Sequence, residues 1–172
     1  MEKIGLGGGC HWCTEAIFQS LIGVHKVEQG YISSTGIYDT FSEAVIVHYH
    51  ETLIDLKTLI EIHLRTHKSA SNHSMREKYR SAVYTFSEKQ HQLSKEWITY
   101  YQEEFSHQLI TLAIPFYQFK ASRESIQNYY YNNPKKPFCQ RFIDPKLQVL
   151  LKRFSNHVQK EKIKFGTLDA MA

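Results

Sequence analysis

A chain of 172 residues can bury the core of one domain, and its 42% hydrophobic and 13% aromatic content is that of an ordinary globular protein. The net charge is only +4, and the excess is scattered over Lys135-Lys136 and a run of basic residues from Lys146 to Lys164, which argues against nucleic acid as a partner. No apolar run reaches the roughly 18 residues of a membrane span, and no basic-then-apolar leader opens the chain, so a cytoplasmic location is expected.

Ile4 to Leu6 reads as a strand, followed by Gly7-Gly8-Gly9, where the backbone can turn tightly. Ala16, Ile17, Leu21 and Ile22 have helix spacing. Residues 23–31 read as a strand, 32–40 as a loop and 41–49 as a mostly buried strand around Ala44-Val45-Ile46-Val47. Asp55 is placed to cap a helix with Leu56, Leu59, Ile60 and Leu64 on one face. A His- and Ser-rich loop spans 67–78. Tyr79 to Phe86 reads as a strand, and Ser87 caps a helix to about Glu104. Leu109 to Phe116 reads as a strand halted near Pro115, Ser122 to Tyr131 as a short helix, and Pro137 to Gln140 as irregular chain. Leu147 to His157 reads as a closing helix. The expected organisation is one domain over 1–157 and a polar tail over 158–172. The fold class is α+β, a mixed sheet flanked by helices, because strands and helices intermingle and some strands follow one another directly.

Chemistry concentrates in Gly9-Cys10-His11-Trp12-Cys13-Thr14-Glu15. Cys10 sits at a strand-to-helix junction, where free N–H groups and the helix dipole favour a thiolate. Three cysteines, an odd number, point to reactive thiols rather than a disulfide framework. Cys13 lies at i+3 from Cys10, on the same helix face.

This stretch resembles the Gly-Cys-Phe-Trp-Cys/Gly signature of the A-type peptide methionine sulfoxide reductases. The match continues in order through Phe18, Gly23-Val24, Gly30-Tyr31, Glu43-Ala44-Val45, Tyr79-Arg80-Ser81-Ala82, Tyr129-Tyr130, Asn133-Pro134, Cys139-Gln140 and Pro145-Lys146. The resemblance implies a ferredoxin-like core and reduction of the S-epimer of methionine sulfoxide, free or in proteins. It implies that Cys10 is the nucleophile and becomes a sulfenic acid. It implies that Glu43, with Tyr31 and Tyr79, donates hydrogen bonds or a proton to the sulfoxide oxygen. Trp12 and the residue at 11 would bind the substrate, Trp12 facing its methyl group. Cys139, in a mobile loop, would resolve the sulfenic acid, with Cys13 as a secondary thiol; which pair forms the working disulfide stays open. Thioredoxin, or dithiothreitol in vitro, would supply the electrons to a monomer without bound cofactor or metal.

Three positions depart from the family pattern. His11 replaces phenylalanine in the methyl pocket, Ser33-Ser34 replaces Gly-Gly, and an aspartate expected five residues before Tyr79 is Ser74, with Glu77 or His73 as possible substitutes. Rival readings are a Cys-x-x-Cys thiol-disulfide oxidoreductase using Cys10 and Cys13, a zinc site from Cys10, Cys13, His67 and His73, and a diverged relative of weak activity.

Overall fold

The computed structural model describes residues 1–163; the remainder of the expected polar tail lies outside the described residues. Its centre is β1(Glu2–Gly7), α1(His11–Gln19), β2(Val24–Ser33), β3(Ser42–Tyr49), α2(Leu56–Thr66) and β4(Ala82–Thr85). These strands lie in the order β4-β1-β3-β2 and all pair antiparallel, which is the split βαβ arrangement of a ferredoxin-like core. Helix α3(Glu88–Gln102) then crosses over to β5(Leu112–Pro115), which pairs parallel with β4 and makes the sheet mixed. The expected α+β class holds.

Strand β6(Gln118–Ala121) was not expected from sequence. It is a four-residue edge strand on β2 with mostly exposed side chains, so no alternation marks it. The helix expected over 122–131 is broken. A 3-10 turn at Glu124–Ile126 and a left-handed Asn128 precede a single helical turn, α4(Tyr129–Asn132). The first helix stops at Gln19, and Leu21 instead forms a β-bridge with Val158.

The largest correction concerns Cys139. It lies not in a loop but in a π-helical turn, Cys139–Ile143, that runs into α5(Asp144–Arg153), and it is fully buried. Pro145 has no N–H for the carbonyl four residues earlier, so the ladder opens and the Asp144 N–H bonds the Cys139 carbonyl instead.

One face of the sheet packs α1, α2 and α5 through Ile4, Leu6, Val45, Val47 and Val83. The other face is covered by Ile32, Ile46, Tyr84 and Ile114 with Phe86, Phe116 and Phe119. Burial on both faces explains the unbroken apolar run of β3. No helix among the described residues is long and apolar enough to cross a membrane.

Candidate active site

The turn after β1 delivers Cys10 to the N-cap of α1, where its carbonyl accepts the N–H groups of Cys13 (3.1 Å) and Thr14 (3.3 Å). Close packing enforces this turn. A side chain at Gly8 would collide with the His67 ring. The ring nitrogens of His67 are engaged by the His63 carbonyl and the Ser81 hydroxyl (2.7 Å from Nε2), and the His63 ring bonds the Gly7 carbonyl at 2.8 Å. His67 is therefore committed to the scaffold, and no metal-holding group of three or more His, Cys, Asp or Glu side chains occurs among the described residues.

Cys10 is half-buried, and its thiol is held below its ordinary value. The Cys13 thiol, donating a hydrogen bond to it, is the largest cause; burial opposes this, and the N–H groups of Trp12 and Cys13 add to it. The same pairing, with burial, pushes the Cys13 thiol far up. Cys13 is thus the donor and Cys10 the more acidic thiol of the pair. All three cysteines are free. Burial raises the Cys139 thiol, whose Sγ lies 3.6 Å from the Asn133 carbonyl oxygen.

Glu43 opens β3 on the face that meets α1, in register opposite Tyr31. It is 7% exposed. Its Oε1 accepts the backbone N–H of His11 at 3.2 Å and lies 3.4 Å from His11 Nε2. Its Oε2 lies 3.6 Å from Lys78 Nζ. The carboxyl that the resemblance pairs with Cys10 is therefore tied to the residue after Cys10. Tyr31 meets the His11 ring edge-on at 5.2 Å. Tyr79 is brought alongside by its neighbour: the Lys78 carbonyl accepts the Glu43 N–H at 3.0 Å and the Ser42 hydroxyl at 2.9 Å. Lys78 Nζ stands over the Tyr79 ring at 5.0 Å.

Trp12 stacks on Tyr129 (4.0 Å, 6° between planes) and meets Phe138 edge-on at 5.1 Å. Sequence reasoning missed this aromatic box and the residue that builds it. Glu15, 2% exposed, accepts the N–H groups of Asn128 (2.9 Å) and Tyr129 (3.0 Å) and the Gln29 amide (3.0 Å). Burial pushes its carboxyl up while these donors pull it back. A glutamate at helix spacing on an otherwise apolar face was the available signal.

The departures from the family pattern resolve locally. Ser34 donates to the Pro115 carbonyl (2.6 Å), tying the end of β2 to the end of β5. The loop lacking the aspartate is organised by Arg76, which donates to the carbonyls of Gly8, Ser71 and Tyr79, each at 2.8 Å, and to that of Lys68. His73 accepts the Met75 N–H at 3.1 Å, and Glu77 is exposed. The charged neighbour of Glu43 is Lys78, a cation.

Comparison with known proteins identifies relatives of this chain. The family model described as peptide methionine sulfoxide reductase matches residues 2–159. The peptide methionine sulfoxide reductase MsrA of Psychrobacter sp. is 30% identical over 93% of this chain and 100% of its own length. That of Deinococcus radiodurans is 32% identical, over 92% and 84% respectively. Among solved structures, methionine sulfoxide reductase A of Corynebacterium diphtheriae superposes with a TM-score of 0.68 at 22% identity, covering 78% of this chain and 76% of that one. Mxr1 from Saccharomyces cerevisiae in complex with Trx2 gives 0.58 at 20% identity, covering 74% and 84%. These structural neighbours bear out the fold, and the sequence matches carry the assignment: the chain belongs to the peptide methionine sulfoxide reductase family and is an oxidoreductase that reduces methionine sulfoxide.

Proposed function

We propose that the chain reduces the S-epimer of methionine sulfoxide, free or in proteins, through a thiol cycle centred on Cys10. The observation that carries this reading is the pairing of a thiol held below its ordinary value with a buried carboxyl bonded to the next residue's N–H. The Cys10 thiolate attacks the sulfoxide sulfur. As negative charge develops on the oxygen, Glu43 supplies a proton, and the Tyr31 and Tyr79 hydroxyls donate hydrogen bonds. Trp12, with Tyr129 and Phe138, shelters the methyl group. Methionine leaves, and Cys10 carries the oxygen as a sulfenic acid. The sulfoxide sulfur gains two electrons and the Cys10 sulfur loses two.

The Cys139 thiol then condenses with the sulfenic acid, forming a disulfide and releasing water. Because Cys139 is buried in a π-helical turn, this step is taken to proceed through local unwinding of that turn. A dithiol reductant restores both thiols. The complex of the yeast neighbour with Trx2 supports thioredoxin in this role. One contact favours a second reading of the resolving step: Cys13 already touches Cys10, so a Cys10–Cys13 disulfide needs no unwinding. Turnover with thioredoxin in Cys13→Ser and Cys139→Ser separates the two, since only loss of the resolving thiol stops the cycle.

The primary test is conversion of the S and R epimers of a blocked methionine sulfoxide under dithiothreitol. The expected result is turnover of the S epimer alone, abolished in Cys10→Ser. Absence of turnover with either epimer, in protein whose Cys10 is reduced, overturns the reading.

A further inference from the structure

His11 opens α1 immediately after Cys10, and it is 3% exposed. Its Nδ1 lies 2.7 Å from the Gly30 carbonyl oxygen. A carbonyl only accepts, so Nδ1 carries the hydrogen and Nε2 of a neutral ring is a lone pair. That lone pair faces Glu43 Oε1 at 3.4 Å. Two lone pairs repel in this geometry, and one proton between them turns repulsion into attraction. The His11 backbone N–H donates to the same oxygen and holds the carboxyl in place.

We propose that His11 is a positioning residue of this reductase: its ring and the Glu43 carboxyl hold one proton between Nε2 and Oε1, and Glu43 passes it to the sulfoxide oxygen. This rests on the function proposed above. The proton leaves Oε1 as the oxygen becomes the hydroxyl of the Cys10 sulfenic acid. It returns when the Cys10 thiol, released on reduction of the disulfide, ionises again, so each cycle closes.

The surroundings define what the pair must resist. From the segment before β4, Lys78 Nζ lies 3.6 Å from Oε2, and its hydrogen-bonding partner Tyr79 stands beside it. From β2, Tyr31 meets the ring edge-on. From α1 itself, Cys10 is near enough for the Glu43 charge to act on its thiol. Burial lowers the imidazole's own affinity for protons, so the shared proton rests on the pairing with Oε1 rather than on the ring alone. Phenylalanine at this position offers Oε1 no acceptor. The Phe-to-His departure therefore replaces a hydrophobic wall with a proton holder, beside a carboxyl that also faces Lys78.

The experiment is kcat/KM against pH for the blocked S-sulfoxide under dithiothreitol, in the wild type, His11→Phe and His11→Gln, with thermal melts of each. The expected result is an alkaline limb moved to lower pH by about one unit or more in His11→Phe and by less in His11→Gln, whose amide oxygen can still accept the proton, a graded shift that a purely structural role would not produce. An unmoved limb in folded His11→Phe overturns the proposal. A second measurement is independent of turnover: the ¹⁵N resonances of the His11 ring, followed with pH in the wild type and in Glu43→Gln. Shared protonation requires the two midpoints to differ by about one unit or more, and coincident midpoints overturn it. Should the wild type reduce no sulfoxide at all, the proposed function falls while the resonance comparison still decides whether the proton is shared.

Discussion

At the residue scale, reactivity is set by who donates to Cys10. The Cys13 thiol is the largest influence lowering it. A hydrogen bond to a charged group contributes roughly 1.5–3 kcal/mol, and one pKa unit corresponds to about 1.4 kcal/mol. Cys13→Ala is therefore expected to raise the pH midpoint of Cys10 alkylation by about one unit, measured as iodoacetamide rate against pH. An unmoved midpoint would show that backbone N–H groups alone stabilise the thiolate. Gly8 is decided by contact in the same neighbourhood. Gly8→Ala drives a methyl group into the committed His67 ring, and overpacking of this kind costs about 1–3 kcal/mol, measurable as a lowered urea midpoint.

At the element scale, the site is built by docking short pieces onto α1. Glu15 reaches across to the left-handed Asn128 and holds the turn that lays Tyr129 on Trp12. Tyr131 repeats the device, its hydroxyl 2.7 Å from Ser20 Oγ. Glu15→Ala leaves two backbone N–H groups without their acceptor. The expected loss is about 3 kcal/mol of unfolding free energy, read from urea denaturation, with weakened substrate binding because the aromatic box loosens. Glu15→Gln, which keeps an acceptor, should recover part of it. Legibility at this scale followed local signals. Asp55 and Ser87 cap α2 and α3 as their sequence contexts indicate, through the Thr58 and Gln90 N–H groups. Strand β6, the broken helix around Asn128 and the π turn at Cys139 escaped because each depends on a partner distant in the chain or on the missing N–H of Pro145.

At the scale of the whole molecule, the scaffold behind the site holds two neutral histidines, His63 buried and His67 half-buried. His63 is pushed down to about 4 by burial, and His67 lies well below its ordinary value for the same reason. The unfolded chain binds a proton at His63 from about pH 6.5, while the folded chain refuses it until near pH 4. Stability from His63 is therefore complete above about pH 6.5 and lost as pH falls towards 4, and His67 acts in the same direction. His63 alone accounts for about 3 kcal/mol over that window. Urea midpoints should drop steeply between pH 7 and 5, and His63→Gln should flatten the slope. A pH-independent midpoint would mean that the ring finds a way to charge without unfolding.

The sequence by itself determined the family, the α+β class, most elements, and Cys10 at a strand-to-helix junction. Hydrophobic periodicity, capping residues and glycine turns act within a few residues of themselves, and the ordered motif adds identities along the whole chain. Only the tertiary structure decided the partners: His11 against Gly30 and Glu43, Glu15 against Asn128 and Tyr129, and Lys78 against Glu43. Such contacts join residues from different elements, and packing rather than local pattern chooses which side chain meets which.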